Sequence, residues 1–236
     1  MLVTYLGHSC FQVKTGGRTI LFDPFITGNP LAASIDVLTI EADYIFVSHA
    51  HNDHTQDLLA IAKRTNAMVV ANWEIYNWAL RNGIQKTHPM NIGGVWNFDF
   101  GRVKMVNAVH SSSFPDGSYG GNPVGFYFET GEGNFYYSGD TALHNDMKLL
   151  GKHLEIDFAF LPIGNNFTMG VEDALIASKY IKCDKIIGMH YDTFDNIRID
   201  HAKSISNFSY QDKKLILMKI GETLEAGEIK KGLTLN

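Results

Sequence analysis

Residues 44–54 read Tyr-Ile-Phe-Val-Ser-His-Ala-His-Asn-Asp-His, an apolar run followed at once by a cluster of histidine and aspartate. The run 44–47 is typical of a buried strand that ends abruptly. Side chains two positions apart in an extended chain point the same way, so His49 and His51 can converge on one metal ion. The segment therefore predicts a strand that delivers metal ligands at its carboxyl end.

Asp53 and His54 complete the cluster at the point where the chain turns into a predicted helix. In this position they can serve a second ion close to the first. Imidazole and carboxylate together suit zinc, manganese or iron better than calcium or magnesium. The alternative is a polar surface loop, which the density of four ligands within six residues disfavours.

Three further apolar runs have the same form, because each ends in one potential ligand. They are 103–109 before His110, 135–139 before Asp140, and 186–189 before His190. Taken singly, each polar residue is more typical of a cap or of a satisfied core group. Taken together, they supply the ligands that a two-metal site still needs after the histidine cluster.

The pattern of apolar residues and turn residues gives the remaining elements. It predicts strands over 2–6, 10–14, 18–22, 44–47, 67–70, 95–98, 102–109, 124–129, 133–138, 156–160, 185–189 and 214–219. It predicts helices over 56–64, 73–81, 143–150, 171–181 and 200–208. This order favours a layered α/β fold with mixed sheets inside and helices outside. We find no repeat and no linker, and expect a single domain over 1–236.

The bulk composition is that of a globular protein of 236 residues, with 45% apolar residues and a formal net charge of −5. Lysine and arginine are scattered, and the absence of a basic patch makes a nucleic-acid partner improbable. The two cysteines, Cys10 and Cys183, lie in apolar surroundings and are expected as buried free thiols. No stretch is typical of a signal peptide or a membrane span, so a cytoplasmic protein is expected.

The motif His49-Ala-His-Asn-Asp-His54 resembles the signature of the metallo-β-lactamase superfamily, and the resemblance covers essentially the whole chain. The later His110, Asp140 and His190 match that superfamily's remaining metal motifs in order. A narrower resemblance, to ascorbate-6-phosphate lactonase-like enzymes and small hydrolases, rests on three further segments. They are Leu6-Gly7-His8-Ser9-Cys10-Phe11, Asp23-Pro24, and Thr168-Met169-Gly170 with Glu172-Asp173-Ala174.

The resemblance implies a four-layer αββα sandwich with two divalent transition-metal ions at one edge, zinc first and manganese or iron as alternatives. It implies the following ligands: His49, His51 and His110 on the first ion, Asp53, His54 and His190 on the second, and Asp140 bridging both. Many true β-lactamases carry a cysteine where this chain has Asp140, so antibiotic hydrolysis is not implied. Flavodiiron proteins carry a glutamate where it has His51, which argues against redox chemistry.

Such a site predicts hydrolysis, with a hydroxide shared by the two ions as the nucleophile. Asp53 is the candidate that orients this hydroxide or takes its proton. His8 is a second catalytic candidate, which holds substrate, acts as an acid, or is a hydrogen-bonded structural histidine. Asp23 is either a carboxylate that orients a metal-binding histidine or the start of a turn before Pro24.

The rim of the site offers two weaker candidates. Asn165 and Thr168 either line the substrate pocket or cap the helix over 171–181, and we favour the cap. The serine- and glycine-rich loop 111–122 either forms a rim over the pocket or is a flexible surface loop. The aromatic residues at helical spacing near Trp73 are expected to pack rather than to stack bases. His88, His144, His153 and His201 fit no ligand motif.

Three functions compete at this stage. The first is hydrolysis of a small ester, lactone or phosphoester. The second is phosphodiesterase or nuclease action on the same site. The third is a metal-binding protein without catalysis, which the complete set of seven ligands disfavours. Related lactonases assemble, so a homo-oligomer is possible.

Overall fold

The computed structural model describes residues 1–231 and contains fourteen strands and seven α-helices in this range. The strands are β1 (Leu2–Gly7), β2 (Cys10–Thr15), β3 (Arg18–Phe22), β4 (Tyr44–Phe46), β5 (Met68–Ala71), β6 (Thr87–Pro89), β7 (Val95–Phe98), β8 (Gly101–Asn107), β9 (Val124–Thr130), β10 (Gly133–Tyr137), β11 (Phe158–Pro162), β12 (Lys185–Met189), β13 (Lys214–Ile216) and β14 (Thr223–Glu225). The helices are α1 (Asn52–Thr55), α2 (Leu58–Thr65), α3 (Trp73–Arg81), α4 (Met147–His153), α5 (Val171–Tyr180), α6 (His201–Ser209) and α7 (Ala226–Lys231).

The strands form two mixed sheets of seven strands each. The first sheet has the order β14-β1-β2-β3-β4-β5-β6, and the second has the order β13-β12-β11-β10-β9-β8-β7. In the first sheet β3, β4, β5 and β6 are parallel, and in the second β10, β11, β12 and β13 are parallel. Parallel strands end at the same edge of a sheet, so the loops after them meet there.

The sheets pack face to face through an aromatic core. Phe11, Phe22 and Phe46 from the first sheet meet Phe128 and Phe160 from the second, and all five are fully buried. The ring centroids of Phe22 and Phe128 lie 5.4 Å apart in an edge-to-face arrangement, which is favourable for aromatic pairs. This stacking fixes the two sheets relative to each other and therefore fixes the shared edge on which the ligands lie.

Helices cover the outer face of each sheet. A cluster with Leu58, Ile61 and Ile75 joins α2 and α3 to the first sheet. A cluster with Ala177 and Phe208 joins α5 and α6 to the second. The layer order is helix, sheet, sheet, helix, and the predicted αββα sandwich is confirmed.

Several predicted boundaries are wrong. The helix expected over 143–150 is α4 at Met147–His153, because residues 140–146 form the loop that holds Asp140. The strands expected over 102–109 and 214–219 end earlier, at Asn107 and Ile216. The short elements α1, β6, β14 and α7 had no distinct pattern in the sequence. The domain expected over 1–236 extends beyond the described residues, which end at 231.

Three other expectations concern single residues. Cys10 and Cys183 are buried free thiols, as predicted. The indole of Trp78 stacks on Phe114 at 4.6 Å between centroids, which agrees with a packing role, whereas Trp73 is exposed. Within residues 1–231 no helix combines the length and the apolar character needed to cross a lipid bilayer.

Candidate metal centre

All seven candidate ligands lie at the edge where the parallel strands end. The cluster from His49 to His54 follows β4, and the other candidates follow β8, β10 and β12: they are His110, Asp140 and His190. Within the second sheet, β10 and β12 are parallel through β11, and β8 is related to β10 through two antiparallel pairings, so these three carboxyl ends point the same way. The fold therefore gathers side chains that are up to 141 positions apart in the sequence, from His49 to His190.

Three histidines form the first group. The candidate ligand atoms of His49, His51 and His110 all lie within 4.8 Å of one another. His49 Nε2 is 2.9 Å from His51 Nδ1. Since a zinc–nitrogen bond measures about 2.0–2.1 Å, nitrogens at this spacing can share one ion. His49 is buried, and the other two are partly exposed to solvent.

Asp53, His54 and His190 form the second group, together with His8. Asp53 Oδ2 lies 3.7 Å from His190 Nε2 and 3.9 Å from His54 Nε2. The Asp53 side chain keeps 26% of its surface exposed, whereas those of His54 and His190 are buried. Asp53 is thus the member of this group that solvent or a substrate can reach.

Asp140 lies between the two groups. Its Oδ2 is 2.9 Å from His190 Nε2 and 3.2 Å from His54 Nε2 in the second group. The same atom is 3.7 Å from His110 Nε2 and 3.9 Å from His49 Nε2 in the first. A single carboxylate that faces histidines from both sides is the geometry that a bridging ligand requires.

The residues fit a bound transition metal. Asp140 Oδ1 is a buried polar atom without a hydrogen-bond partner among the described residues, and His54 Nε2 faces the Asp140 carboxylate at 3.2 Å. Burying such atoms unpaired is costly unless they coordinate something. Five imidazoles and two carboxylates are a donor set that transition metals prefer. These side chains therefore form a site that is complete only when it coordinates cations.

Asp23 anchors the second group from behind. Its buried carboxylate accepts hydrogen bonds from His54 Nδ1 at 2.8 Å and from Tyr137 Oη at 2.7 Å. It also accepts from the Ser48 backbone N–H at 2.7 Å. When His54 is neutral, as metal coordination requires, a hydrogen on Nδ1 leaves Nε2 as a lone pair that faces the site. The contact supports the orienting role that we expected for Asp23.

Ser48 extends this anchor to the first group. Its hydroxyl donates to Asp23 Oδ2 at 2.6 Å and lies 2.9 Å from His49 Nδ1. The single hydroxyl hydrogen is directed at the carboxylate, so Ser48 Oγ accepts from His49 Nδ1–H. His49 Nε2 is then unprotonated and faces the site, as His54 Nε2 does when that ring is neutral. One carboxylate thus fixes a histidine in each group.

The charged side chains of the site shift one another's pKa values. Burial lowers the pKa of His190, but the carboxylates of Asp140 and Asp53 outweigh it and raise the pKa to about 9. For His54, burial is likewise outweighed by three carboxylates, and its pKa lies well above the ordinary value. For Asp140, burial acts to raise the pKa, yet the neighbouring imidazoles hold it well below its ordinary value. The metal-free site is therefore a cluster of ion pairs.

His8 lies beside the second group, with a fully buried side chain. Its Nε2 is 3.0 Å from Asp53 Oδ2, and its Nδ1 is 2.9 Å from Thr193 Oγ1. Burial and nearby His190 lower the pKa of His8 to about 4. Both ring nitrogens are engaged within the protein, which leaves neither directed at a substrate.

The loop 111–122 is fixed to the first group. Ser112 Oγ accepts a hydrogen bond from the Ala50 N–H at 3.1 Å, and Ser111 Oγ lies 3.3 Å from His51 Nε2. Asn72 donates to the carbonyl oxygen of Gly120 at 2.8 Å. These contacts favour a rim that is held over His51 rather than a loose surface loop.

Asn165 and Thr168 lie in the loop after β11, which is joined to the Asp140 loop by a hydrogen bond from the Met169 N–H to the Thr141 carbonyl oxygen at 3.0 Å. Asn165 lines a polar cavity of about 400 Å³ beside Arg198. The capping interpretation was wrong, because Gly170 occupies the position before α5 and no side chain caps the helix. Thr168 Oγ1 donates instead to the Met169 carbonyl at 3.3 Å. Their role in substrate binding stays a prediction.

Sequence reasoning missed Ser48, Tyr137 and Thr193. Ser48 directly precedes His49, and Tyr137 closes the strand before Asp140, so their positions were a usable signal. Thr193 lies in an irregular loop after His190, and no pattern in the sequence distinguishes it.

Comparison with known proteins places the chain among metal-dependent hydrolases. A family model described as a beta-lactamase superfamily domain matches residues 2–190. A Flavobacterium johnsoniae protein named UPF0173 metal-dependent hydrolase is 56% identical over 225 residues, which cover 95% of this chain and all of that protein (100%). A protein of the same name from Methylacidiphilum infernorum is 47% identical over 224 residues, covering 95% of this chain and 99% of that protein.

Solved structures give the same result for the fold. Igni18, described as a novel metallo hydrolase from the archaeon Ignicoccus hospitalis, is 34% identical with a TM-score of 0.85, and the match covers 94% of this chain and 97% of Igni18. An isothiocyanate hydrolase from Delia radicum gut bacteria has a TM-score of 0.77, with 95% of this chain and 98% of the other covered. Its identity of 17% makes the second likeness one of fold alone.

Proposed function

Because this chain belongs to the beta-lactamase superfamily and is a metal-dependent hydrolase, we propose that it cleaves a small, uncharged ester or lactone at a two-metal site. The observation that carries the proposal is the position of Asp140 between two groups of three ligands. His49, His51 and His110 would hold one ion, and Asp53, His54 and His190 the other. Zinc suits this donor set, with manganese and iron as alternatives.

Bound there, two divalent ions would lower the pKa of a shared water and polarise the carbonyl oxygen of the substrate. Within the chain, Asp53 is the partly exposed carboxylate of the site, so it can orient a water or accept its proton. Asp23 and Ser48 would keep the ligand nitrogens of His54 and His49 unprotonated and aimed inward. The proposed chemistry needs no residue outside this edge.

The charge of the surrounding loops favours a carbonyl substrate over a phosphodiester. Apart from Lys219 in the loop after β13, the loops that follow β3, β4, β8, β10, β11 and β12, namely 23–43, 47–51, 108–123, 138–146, 163–170 and 190–200, contain one lysine or arginine within the described part of the chain. It is Arg198, which is exposed and forms an ion pair with Asp195 at 2.7 Å. Phosphate recognition usually uses arginine or lysine side chains. The loops instead present apolar side chains, including Val109, Phe167 and Phe194.

The test is a comparison of substrates on zinc-loaded protein with verified metal content. We expect turnover of lactones and neutral aryl esters and little or no turnover of bis-p-nitrophenyl phosphate. Asp53→Ala should abolish the esterase activity while a variant at an exposed aspartate of the rim loop, Asp116→Ala, keeps it. Faster phosphodiester cleavage would contradict the proposal, and silence on every ester would favour a metal-binding protein without catalysis.

A further inference from the structure

The backbone places His8 rigidly beside the second ligand group. His8 has a positive φ of 57° and follows Gly7, whose φ is 108°. Its carbonyl oxygen accepts hydrogen bonds from the His190 backbone N–H at 3.0 Å and from Tyr5 Oη at 3.2 Å. A strained backbone that the surroundings hold in place is typical of a residue with a specific task. The ring is thereby fixed against His190, 4.1 Å away between centroids.

The His8 ring allows two readings. Its Nε2 lies within 4.8 Å of the candidate ligand atoms of Asp53, His54 and His190, so His8 can be counted as a metal ligand. It also lies 3.0 Å from Asp53 Oδ2, at the distance of a hydrogen bond. A ligand needs a lone pair on Nε2, whereas a donor to Asp53 needs a hydrogen there. The partner of the other nitrogen distinguishes the two.

That partner is Thr193, whose hydroxyl lies 2.9 Å from His8 Nδ1. If Nδ1 carried the hydrogen, Thr193 would accept from it and donate onward to the Tyr191 carbonyl, which is 3.4 Å away. If Nδ1 is a lone pair, Thr193 donates to it at 2.9 Å and Nε2–H donates to Asp53 at 3.0 Å. The second arrangement makes two hydrogen bonds of ordinary length and does not need the long one from Thr193 to the Tyr191 carbonyl oxygen.

The charge on Asp53 supports the same arrangement. A carboxylate that ligates a metal is ionised and can only accept hydrogen bonds. A lone pair on His8 Nε2 facing it at 3.0 Å would be repelled, whereas an N–H is attracted. Thr193 itself is buried, and its loop is held by Asp192, which accepts from the Ile199 N–H at 3.0 Å.

We propose that Thr193 is a positioning residue: its hydroxyl donates to His8 Nδ1, so that His8 Nε2–H holds Asp53 and does not bind a metal ion. The inference rests on the proposed function in that Asp53 is a ligand of the second ion. It assigns His8 to orienting Asp53 instead of to contact with substrate. The residues act in series, with Thr193 fixing the ring and the ring fixing the carboxylate.

Nitrogen-15 NMR of histidine-labelled, zinc-loaded protein reads the protonated nitrogen of His8 directly. The signal is assigned by its loss in His8→Asn. We expect the hydrogen on Nε2 and a hydrogen-bonded lone pair on Nδ1. A hydrogen on Nδ1 with Nε2 shifted by zinc would overturn the proposal, because His8 would then be a ligand.

Zinc titrations of two threonine variants test the role of the hydroxyl. Thr193→Val should weaken binding of one of the two ions by about 10-fold, and Thr193→Ser should restore it. Thr65→Val is the control, because Thr65 makes a comparable hydrogen bond to Ile61 on α2, away from the ligands. Unchanged affinity in Thr193→Val, or equal loss in Thr193→Ser, would contradict the proposal.

Neither measurement uses a substrate. The Thr193 proposal can therefore be contradicted while ester hydrolysis is confirmed, and it can be confirmed while no ester is hydrolysed. If Thr193→Val does not fold, the tautomer in the wild-type protein still decides between donor and ligand.

Discussion

At the scale of single residues, the site depends on side chains that touch no substrate. The Asp23 carboxylate accepts hydrogen bonds from His54 Nδ1 and from the Ser48 hydroxyl, and that hydroxyl in turn accepts one from His49 Nδ1. One carboxylate therefore sets the tautomer of a candidate ligand in each group. Tyr137 adds a fourth donor, and burial together with Asp23 holds its pKa well above the ordinary value. Tyr137 is therefore a neutral donor throughout the physiological pH range.

Asp23→Asn should weaken zinc binding by about 10–100-fold, because an amide nitrogen cannot accept the hydrogen bonds that orient His54 and Ser48. The matched control is Asp57→Asn. Asp57 is also buried and accepts from the Ile26 and Thr27 backbone N–H groups, but it contacts no candidate ligand. Calorimetric zinc titration checks both. Equal losses in the two variants would mean that Asp23 acts only through the fold.

Metal binding should release protons near neutral pH. His190, with a pKa of about 9, and His54, with a pKa well above its ordinary value, are protonated in the metal-free protein and must be neutral to coordinate. Calorimetry in buffers of different ionisation enthalpy counts the protons, and we expect the release from His190 to disappear as the pH passes about 9. Binding without proton release near neutral pH would contradict the ion-pair description of the metal-free site.

The sign of the same shift predicts how stability depends on pH without metal. A folded-state pKa raised from 6.5 to about 9 favours the protonated native state. The stability that His190 contributes is complete below its unfolded pKa and is lost as the pH rises through the folded one. Denaturant unfolding of the metal-free protein across this range measures the loss. If the contribution of His190 to the free energy of unfolding increased toward alkaline pH, the prediction would be contradicted.

At the scale of secondary structure elements, each ligand-bearing segment follows a strand that ends one to three residues before the first ligand of that segment. The position of a candidate ligand after a strand could be predicted, because a single sequence shows where an apolar run stops at a histidine or aspartate. The element boundaries were less predictable. The loop 140–146 carries no breaker before Met147, and β6 holds only Thr87–Pro89, too short for a periodic pattern.

Gly139, which directly precedes Asp140, lies where there is no space for a larger side chain. Its φ is 60°, and a Cβ placed there would lie 2.6 Å from Ser48 Cβ and 2.7 Å from the Val124 carbonyl oxygen. Gly139→Ala should destabilise the fold by about 1–3 kcal/mol and displace Asp140, so that zinc binding weakens as well. Gly131→Ala is the control, since nothing lies within 4 Å of a Cβ there. Thermal unfolding and zinc titration measure the two effects. A melting temperature and a zinc affinity in Gly139→Ala equal to those of the wild type would contradict the prediction.

At the scale of the whole molecule, charge is distributed unevenly along the sandwich. Basic residues occupy the last turns of the helices, as in Lys63 and Arg64 of α2, Arg81 of α3 and Lys179 of α5, where they complement the helix dipole. Helices that follow parallel strands run back from the ligand edge, so these cations lie at the opposite edge. The sequence showed scattered cations, but only the fold separates them from the metal centre.

This separation predicts an effect of salt on substrate choice. Anionic esters should be turned over less well than neutral esters of the same size, because acidic residues dominate the loops around the site. Raising the ionic strength should increase kcat/KM for the anionic ester and leave that for the neutral ester unchanged, since salt screens exposed charges. Preference for the anionic ester at low salt would contradict the account.

The layered α/β order and the candidate ligands followed from apolar strands ending in histidine or aspartate, whereas the four-layer αββα arrangement was implied by the family resemblance. The contacts of Ser48, Tyr137 and Thr193 did not, because hydrogen bonds across two sheets and between distant loops leave no local pattern. The position of Asn165 and Thr168 after β11 suggested a place beside the ligands, and the hydrogen bond from the Met169 N–H to the Thr141 carbonyl oxygen agrees with that position.

The metal content of the protein tests the central claim most directly. Zinc-loaded protein, separated from free metal and measured by native mass spectrometry, should carry two ions per chain. Each of His110→Ala and His190→Ala should carry one, since these residues belong to different groups, and Asp140→Ala should disturb both sites. A single ion in the wild-type protein, or the loss of both ions in His110→Ala, would show that the seven side chains do not form a two-metal centre.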